Sequence, residues 1–129
     1  MSYKPIEVLV ADDEASITFC VREWLEGSET RYQVDTARNG LEFLEKLRRG
    51  DYDIAVTDIR MPVMDGIEAI IRARNEGIDI PIVVATATPS DYSRIEGYSN
   101  VFLVHNPFDL PQLEATVLRL YDQASEKAA

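Results

Sequence analysis

Four polar side chains stand where apolar runs of the sequence end, and their types could act together on a charged ligand. Asp12 and Asp13 follow one apolar run, Asp58 ends a second and Thr86 ends a third. Turn-forming residues come directly after Asp58, which predicts that its carboxylate is presented at a strand end and not buried. In open α/β sheets, ligands gather beyond the carboxyl ends of the strands, so these side chains are expected at one site.

The three carboxylates need a positive partner if they meet at that edge. Two like charges about 4 Å apart repel by roughly 4 kcal/mol at an effective dielectric constant of 20. Carboxylate and backbone oxygens without His or Cys suit a hard divalent cation, and Mg²⁺ is usual where few protein ligands and a phosphate share a site. The alternative is that Asp13 only caps a helix and Asp58 only caps a turn. Acids on two separate strand ends favour the Mg²⁺ site.

The elements that position these residues alternate between strand and helix along the whole chain. Apolar runs predict strands at 6–11, 32–38, 53–57, 80–86 and 101–104. Helices are expected after each of them, and Asp65 is expected to accept backbone hydrogen bonds at the start of the third helix. The helix within 89–100 is expected to be short or frayed because the segment is rich in Ser, Gly and Asn. Five βα units in this order require right-handed crossovers and a doubly wound parallel sheet with helices on both faces.

The first helix shows the pattern of a helix packed against this sheet. Its spacing places Ile17, Val21, Trp24 and Leu25 on one face, which predicts that all four pack inward. The lone cysteine, Cys20, excludes an internal disulfide, and its register on the same helix predicts a packing role.

Composition excludes several classes of protein. The 129 residues are 46% hydrophobic and 28% charged, as expected of one globular domain. No apolar window reaches membrane-spanning length, and the first residues lack the apolar core of a signal peptide, so a cytoplasmic location is expected. The formal charge of −10 argues against direct binding to nucleic acid, which requires clustered Lys and Arg.

The motifs together resemble the receiver domain of two-component response regulators. The residues that carry the resemblance are Asp12-Asp13, the DIRMPVMDG segment around Asp58, Thr86-Ala87 and Asn106-Pro107-Phe108. The resemblance covers almost the whole chain. It implies a single receiver domain over 1–129 with a folded core at 5–123. It also implies a flavodoxin-like topology with a five-stranded sheet in the order 2-1-3-4-5, flanked by five helices.

The resemblance also implies a role for each residue. Asp58 would accept a phosphoryl group from a sensor histidine kinase or a phosphotransfer protein, and the domain would then switch a surface that contacts an output domain or protein. Asp13, Asp58 and the backbone carbonyl of Arg60 would bind Mg²⁺ directly, and Asp12 would bind it through water. Thr86 would turn its hydroxyl toward the phosphoryl group. Such a domain is not a conventional enzyme, although it catalyses its own Mg²⁺-dependent phosphotransfer, and autodephosphorylation is left open.

The sequence departs from the family pattern after the fifth strand. Asn106 stands where the family has a lysine, so activation by phosphorylation is expected to be atypical. Leu103 stands at the position of a moving aromatic residue, and strand alternation predicts that Phe102 faces the other side of the sheet. Arg60 is a candidate replacement for the missing cation, with a solvated loop charge as the alternative.

Three other functions are alternatives to the phosphoacceptor. A haloacid-dehalogenase-like phosphatase needs an Asp-x-Asp motif, which 12–15 lacks. A flavodoxin-like carrier of FMN needs a Ser/Thr/Gly-rich phosphate loop where this chain has carboxylates. A receiver fold that works as an interaction module without phosphorylation remains the nearest alternative.

Overall fold

The computed structural model describes residues 4–87, 89–105 and 109–128. The strands are β1 (Ile6–Ala11), β2 (Tyr32–Ala37), β3 (Ile54–Thr57), β4 (Ile82–Ala85) and β5 (Val101–Val104). The α-helices are α1 (Ala15–Glu26), α2 (Gly40–Arg49), α3 (Gly66–Asn75) and α4 (Leu110–Ala128). A 3₁₀ helix, Pro89–Ile95, follows β4 and is the short helix predicted there. The five predicted helices are therefore confirmed, with this one in the tighter 3₁₀ form.

All five strands are parallel and lie in the order β2-β1-β3-β4-β5, which confirms the predicted sheet. The register aligns the carboxyl ends of the central strands. Ala11 of β1 lies beside Thr57 of β3, and Thr57 lies beside Val84 of β4. The residues that follow these strands, among them Asp12 and Asp58, are consequently presented at one edge of the sheet.

Strand alternation divides the core into two layers. One layer lies under α2, α3 and the 3₁₀ helix and includes Leu9, and the other lies under α1 and α4 and includes Val8. Leu103 packs against the first layer and Phe102 against the second, so the predicted division of these two side chains is confirmed. Both faces are covered, as near-continuous apolar parallel strands require.

Fewer side chains of α1 are buried than the sequence predicts. Val21 and Leu25 are buried, but Trp24 is 42% exposed and its indole N–H donates to Glu114 Oε1 on α4 at 3.0 Å. Cys20 is also exposed, so the predicted packing role is wrong. The reason is that a helix beside another helix needs only a narrow buried stripe, and α4 offers Trp24 a polar partner at the rim of the interface.

Strand β4 begins at Ile82, two residues later than predicted. Pro81 precedes it and has no N–H to donate to a neighbouring strand. The half-buried guanidinium of Arg74 donates hydrogen bonds to the nearby carbonyls, to Ile78 O at 2.7 Å and to Ile80 O at 2.8 Å. Its burial lowers the pKa of Arg74. Across the described ranges, none of the helices is both long and apolar enough to cross a membrane.

Candidate functional site

Backbone hydrogen bonds hold both acidic strand ends at the carboxyl edge of the sheet. The Asp12 N–H donates to Ala37 O at 3.1 Å, and the Asp58 N–H donates to Ala11 O at 3.1 Å. The Asp12 side chain is 4% exposed, and its Oδ1 accepts the Glu14 N–H at 2.9 Å. Asp58 is half-buried, not fully presented as predicted, and its Oδ1 accepts its neighbour's N–H at 2.7 Å.

Thr86 completes this edge from β4. Its N–H donates to Val104 O at 3.1 Å, its side chain is 1% exposed, and it lies close enough to Asp58 to lower the pKa of that carboxyl. Asp13 is exposed and adds negative charge near both other acids. The structure therefore places the four residues that the sequence singled out at one edge of the sheet.

The site has an excess of negative charge. Burial raises the pKa of Asp12 to about 6, with the charges of Asp58 and Asp13 acting in the same direction. Burial also raises the pKa of Asp58, against the hydrogen bond from the Ile59 N–H and the nearby Thr86 hydroxyl, which lower it. A cation bound here would relieve the repulsion.

The donor atoms at this edge fit a magnesium ion. Within the described residues, no three His, Cys, Asp or Glu side chains come together as a complete metal-binding group. A hard cation that keeps several waters and takes one or two carboxylates does not need such a group. Carboxylate oxygens, a nearby loop carbonyl and water make up that type of ligand set.

Asp12→Asn is expected to stabilise the metal-free protein by about 2 kcal/mol at neutral pH. The folded-state pKa of about 6 lies above the unfolded value, so the folded state binds the proton more tightly. Well below pH ~4, Asp12 therefore does not lower the free energy of unfolding. Above pH about 6 its charged form lowers that free energy by the full amount, so stability is lost as the pH rises through this window. Urea unfolding of parent and variant at both ends of the window measures it. An equal difference at both ends would contradict the assignment, and exposed Asp51→Asn is the control.

Two glycines, one at each side, make close backbone contacts with the loop between Asp58 and α3. The Gly66 N–H donates to Ile59 O at 2.8 Å, and the Gly40 N–H donates to Met64 O at 2.8 Å. A Cβ at Gly66 would overlap the carbonyl oxygen of Asp58, and one at Gly40 would overlap that of Met64. The sequence identified Gly66 as a turn residue, but its need for close approach of two backbones was missed.

The same loop holds a residue in an unfavourable conformation. Val63 has a φ of 71°, which a β-branched side chain rarely adopts, and it is 77% exposed. Met61 and Met64 on either side of it are buried. The Met64 N–H donates to Pro62 O at 2.7 Å, so Val63 is the central residue of a tight turn that requires its positive φ.

Ion pairs connect this loop to the 3₁₀ helix. Arg60 Nε lies 3.3 Å from Asp91 Oδ2, so the exposed side chain that was predicted near the mouth of the site has a partner outside it. Arg94 Nη1 lies 3.1 Å from Asp65 Oδ2. Asp65 also accepts the Glu68 N–H at 2.8 Å, which confirms it as the cap of α3. Neither ion pair was predicted from the sequence.

The end of β5 is described only in part. Leu103 is partly buried against the core and His105 is exposed. Asn106, which stands at the usual lysine position, lies outside the described residues, as do the two residues after it.

The fold and the site define a doubly wound parallel-sheet protein with an acidic edge at its topological switch point. The response regulator receiver domain family matches residues 8–117. The transcriptional regulatory protein ZraR of Klebsiella oxytoca is 34% identical over 119 residues, which cover 91% of this chain and 26% of that protein. Response regulator MprA of Mycobacterium sp. (strain KMS) is 33% identical over 94% of this chain and 53% of its own length. The structure of response regulator TrrA from Thermotoga maritima, in complex with Mg²⁺-BeF, has a TM-score of 0.77 at 32% identity, covering 89% of this chain and 98% of that chain.

This chain belongs to the response regulator receiver domain family. Receiver domains of two-component systems work with histidine kinases and output domains, and they generally use Mg²⁺. The chain spans about a quarter of ZraR and about half of MprA.

Proposed function

We propose that this domain takes a phosphoryl group from a histidine kinase or phosphotransfer protein onto Asp58. The observation that carries the proposal is the half-buried Asp58 carboxylate at the sheet edge, next to Thr86 and to the acids Asp12 and Asp13, whose negative charge favours a cation. Residues 5–123 are the folded core of this receiver unit within 1–129.

The carboxylate of Asp58 is the nucleophile. The Ile59 N–H bond to Oδ1 fixes the orientation of the carboxylate group. One carboxylate oxygen attacks phosphorus while the bond from phosphorus to the donor imidazole nitrogen breaks, and that nitrogen leaves with the electron pair. Phosphoryl transfer depends mainly on positioning and charge stabilisation, so holding the carboxylate in place is a large part of what the chain supplies.

Asp13, Asp58 and the backbone carbonyl of Arg60 would hold the magnesium ion, and Asp12 would act on it through water. Bound Mg²⁺ supplies positive charge that offsets the charge of the transferring phosphoryl group. Burial raises the pKa of Asp12 to about 6, so at neutral pH this carboxyl is still mostly ionised and would add negative charge that attracts the cation.

Thr86 transmits the change. Phosphorylation adds about one negative charge at Asp58 and new acceptor oxygens. The Thr86 hydroxyl, which is close to Asp58, turns to the phosphoryl group and draws the loop after β4 inward. Asn106 is neutral, so it contributes a weaker pull than the lysine of the family, and the switch is atypical in that respect.

The partners of the switched surface are proteins. The formal charge of −10 leaves contact with nucleic acid to another polypeptide or domain, and the cytoplasm is the compartment in which kinase and receiver meet.

Incubation with a small phosphodonor and Mg²⁺, followed by intact mass, tests the proposal. The parent is expected to gain the mass of one phosphoryl group, and Asp58→Asn is expected to gain none. Exposed Asp51→Asn, at the opposite end of the sheet, is the matched control and is expected to be modified as the parent is. No adduct on the parent would favour the interaction module that works without phosphorylation.

A further inference from the structure

Two ion pairs hold the 3₁₀ helix against the loop between Asp58 and α3, residues 59–65. In one pair the loop carries the positive charge, and in the other the helix does. Arg60 of the loop pairs with Asp91 of the helix at 3.3 Å, and Asp65 of the loop pairs with Arg94 of the helix at 3.1 Å. From Tyr92 onward the helix is anchored more firmly, because the Tyr92 hydroxyl donates to Val101 O at 2.9 Å and Ile95 is 1% exposed. The end that contains Asp91 therefore depends more heavily on an exposed ion pair.

Arg60 lies between two negative groups. It follows Asp58 by two residues, and its positive charge lowers the pKa of Asp58 while burial raises it. Its side chain is 71% exposed, so the guanidinium can reorient without breaking packed contacts. Among the described groups that shift the pKa of Asp58 most, Arg60 is the cation.

We propose that Arg60 exchanges partners on phosphorylation, leaving Asp91 for the phosphoryl group on Asp58 and so releasing the first turn of the 3₁₀ helix. The inference rests on the proposed function of Asp58. A phosphoryl group carries more negative charge than the single carboxylate of Asp91, and guanidinium binds its oxygens in a fork. An exposed ion pair is weak, so the exchange needs only a small advantage.

The exchange links the site to the surface after β4. Once Asp91 is free, the Arg94 to Asp65 pair and buried Ile95 still hold the rest of the helix, so the movement is confined to its first turn. Thr86 pulls on the same segment from its other end. Because coupling is reciprocal, a partner protein that binds Asp91 would make Arg60 more available to the phosphoryl group.

Binding of beryllofluoride with Mg²⁺, a phosphoryl mimic, measures the competition between the two acids. Asp91→Asn removes the competitor and is expected to lower the Kd about threefold, and Arg60→Gln is expected to raise it about threefold. The Arg60→Gln substitution keeps the backbone carbonyl. The double variant is expected to match Arg60→Gln, since Asp91 acts only through Arg60.

Arg94→Gln is the matched control because it breaks the other ion pair of the same helix. Its Kd is expected to equal that of the parent. Amide hydrogen exchange at 90–95 gives a second readout without a functional assay. Beryllofluoride is expected to speed exchange there in the parent, whereas Arg60→Gln exchanges fast with or without it.

Two results would overturn the exchange. If the parent binds beryllofluoride and Asp91→Asn binds it equally, the exchange is wrong while the phosphoacceptor role stands. If Arg94→Gln shifts the Kd as much as Asp91→Asn does, the effect comes from loosening the helix and not from Arg60. Absence of binding by the parent, with no phosphoryl adduct either, would reject the proposed function and the exchange together.

Discussion

Gly66→Ala is expected to lower the free energy of unfolding by about 3 kcal/mol or more. The new Cβ would overlap the Asp58 carbonyl oxygen, with the carbonyl carbon at 3.1 Å and Thr57 Oγ1 also at 3.1 Å. These are backbone atoms and the side chain of a buried threonine, so they cannot move aside cheaply. Domains are stable by only about 5 to 15 kcal/mol, so much of the total would be lost.

Urea unfolding of the purified variant measures this loss. Gly40→Ala is expected to behave similarly, because its Cβ would overlap the Met64 carbonyl on the other side of the same loop. Glu45→Ala on the exposed face of α2 is the control and is expected to change stability by no more than about 0.5 kcal/mol. A loss at Gly66 no larger than that at Glu45 would show that the loop relaxes freely.

Arg74→Met is expected to cost about 2 to 4 kcal/mol, which is large for a residue on the outside of the sheet. The guanidinium donates to four backbone carbonyls around the starts of β4 and β5, those of Ile78, Ile80, Ser99 and Asn100. Methionine keeps the aliphatic length of the side chain and removes all four bonds. The carbonyls that are partly buried then lose their partner.

Arg72→Met on the same helix is the matched comparison for Arg74→Met. Arg72 is about half exposed and pairs with Glu68 one turn away, at 3.1 Å, so its loss is expected to cost under about 0.5 kcal/mol. Both variants are compared by urea unfolding at neutral pH. Equal costs would mean that water replaces Arg74 at the carbonyls.

The sequence by itself determined the features that depend on neighbours along the chain. Apolar runs between turn residues located all five strands, and their order along the chain required a parallel sheet. The Asp65 cap was predicted correctly because it depends on a side chain and an N–H three residues apart. The carboxylates Asp12 and Asp58 were found for a related reason, since a strand that ends in an acid presents it at the carboxyl edge wherever the strand lies.

Tertiary structure alone decided the features that depend on distant segments. No local pattern in 58–66 predicts that Gly66 must accommodate the Asp58 backbone, because that approach is set by how α3 packs beside β3. Trp24 follows the inward register of α1 yet lies at the surface, because α4 provides Glu114 there. Arg60 pairs with Asp91, 31 residues later, only because the sheet places the β4 loop next to the β3 loop. Strands, helices and caps depend on residues that are close together along the chain. These contacts depend instead on how distant elements pack against one another, which the local sequence does not determine.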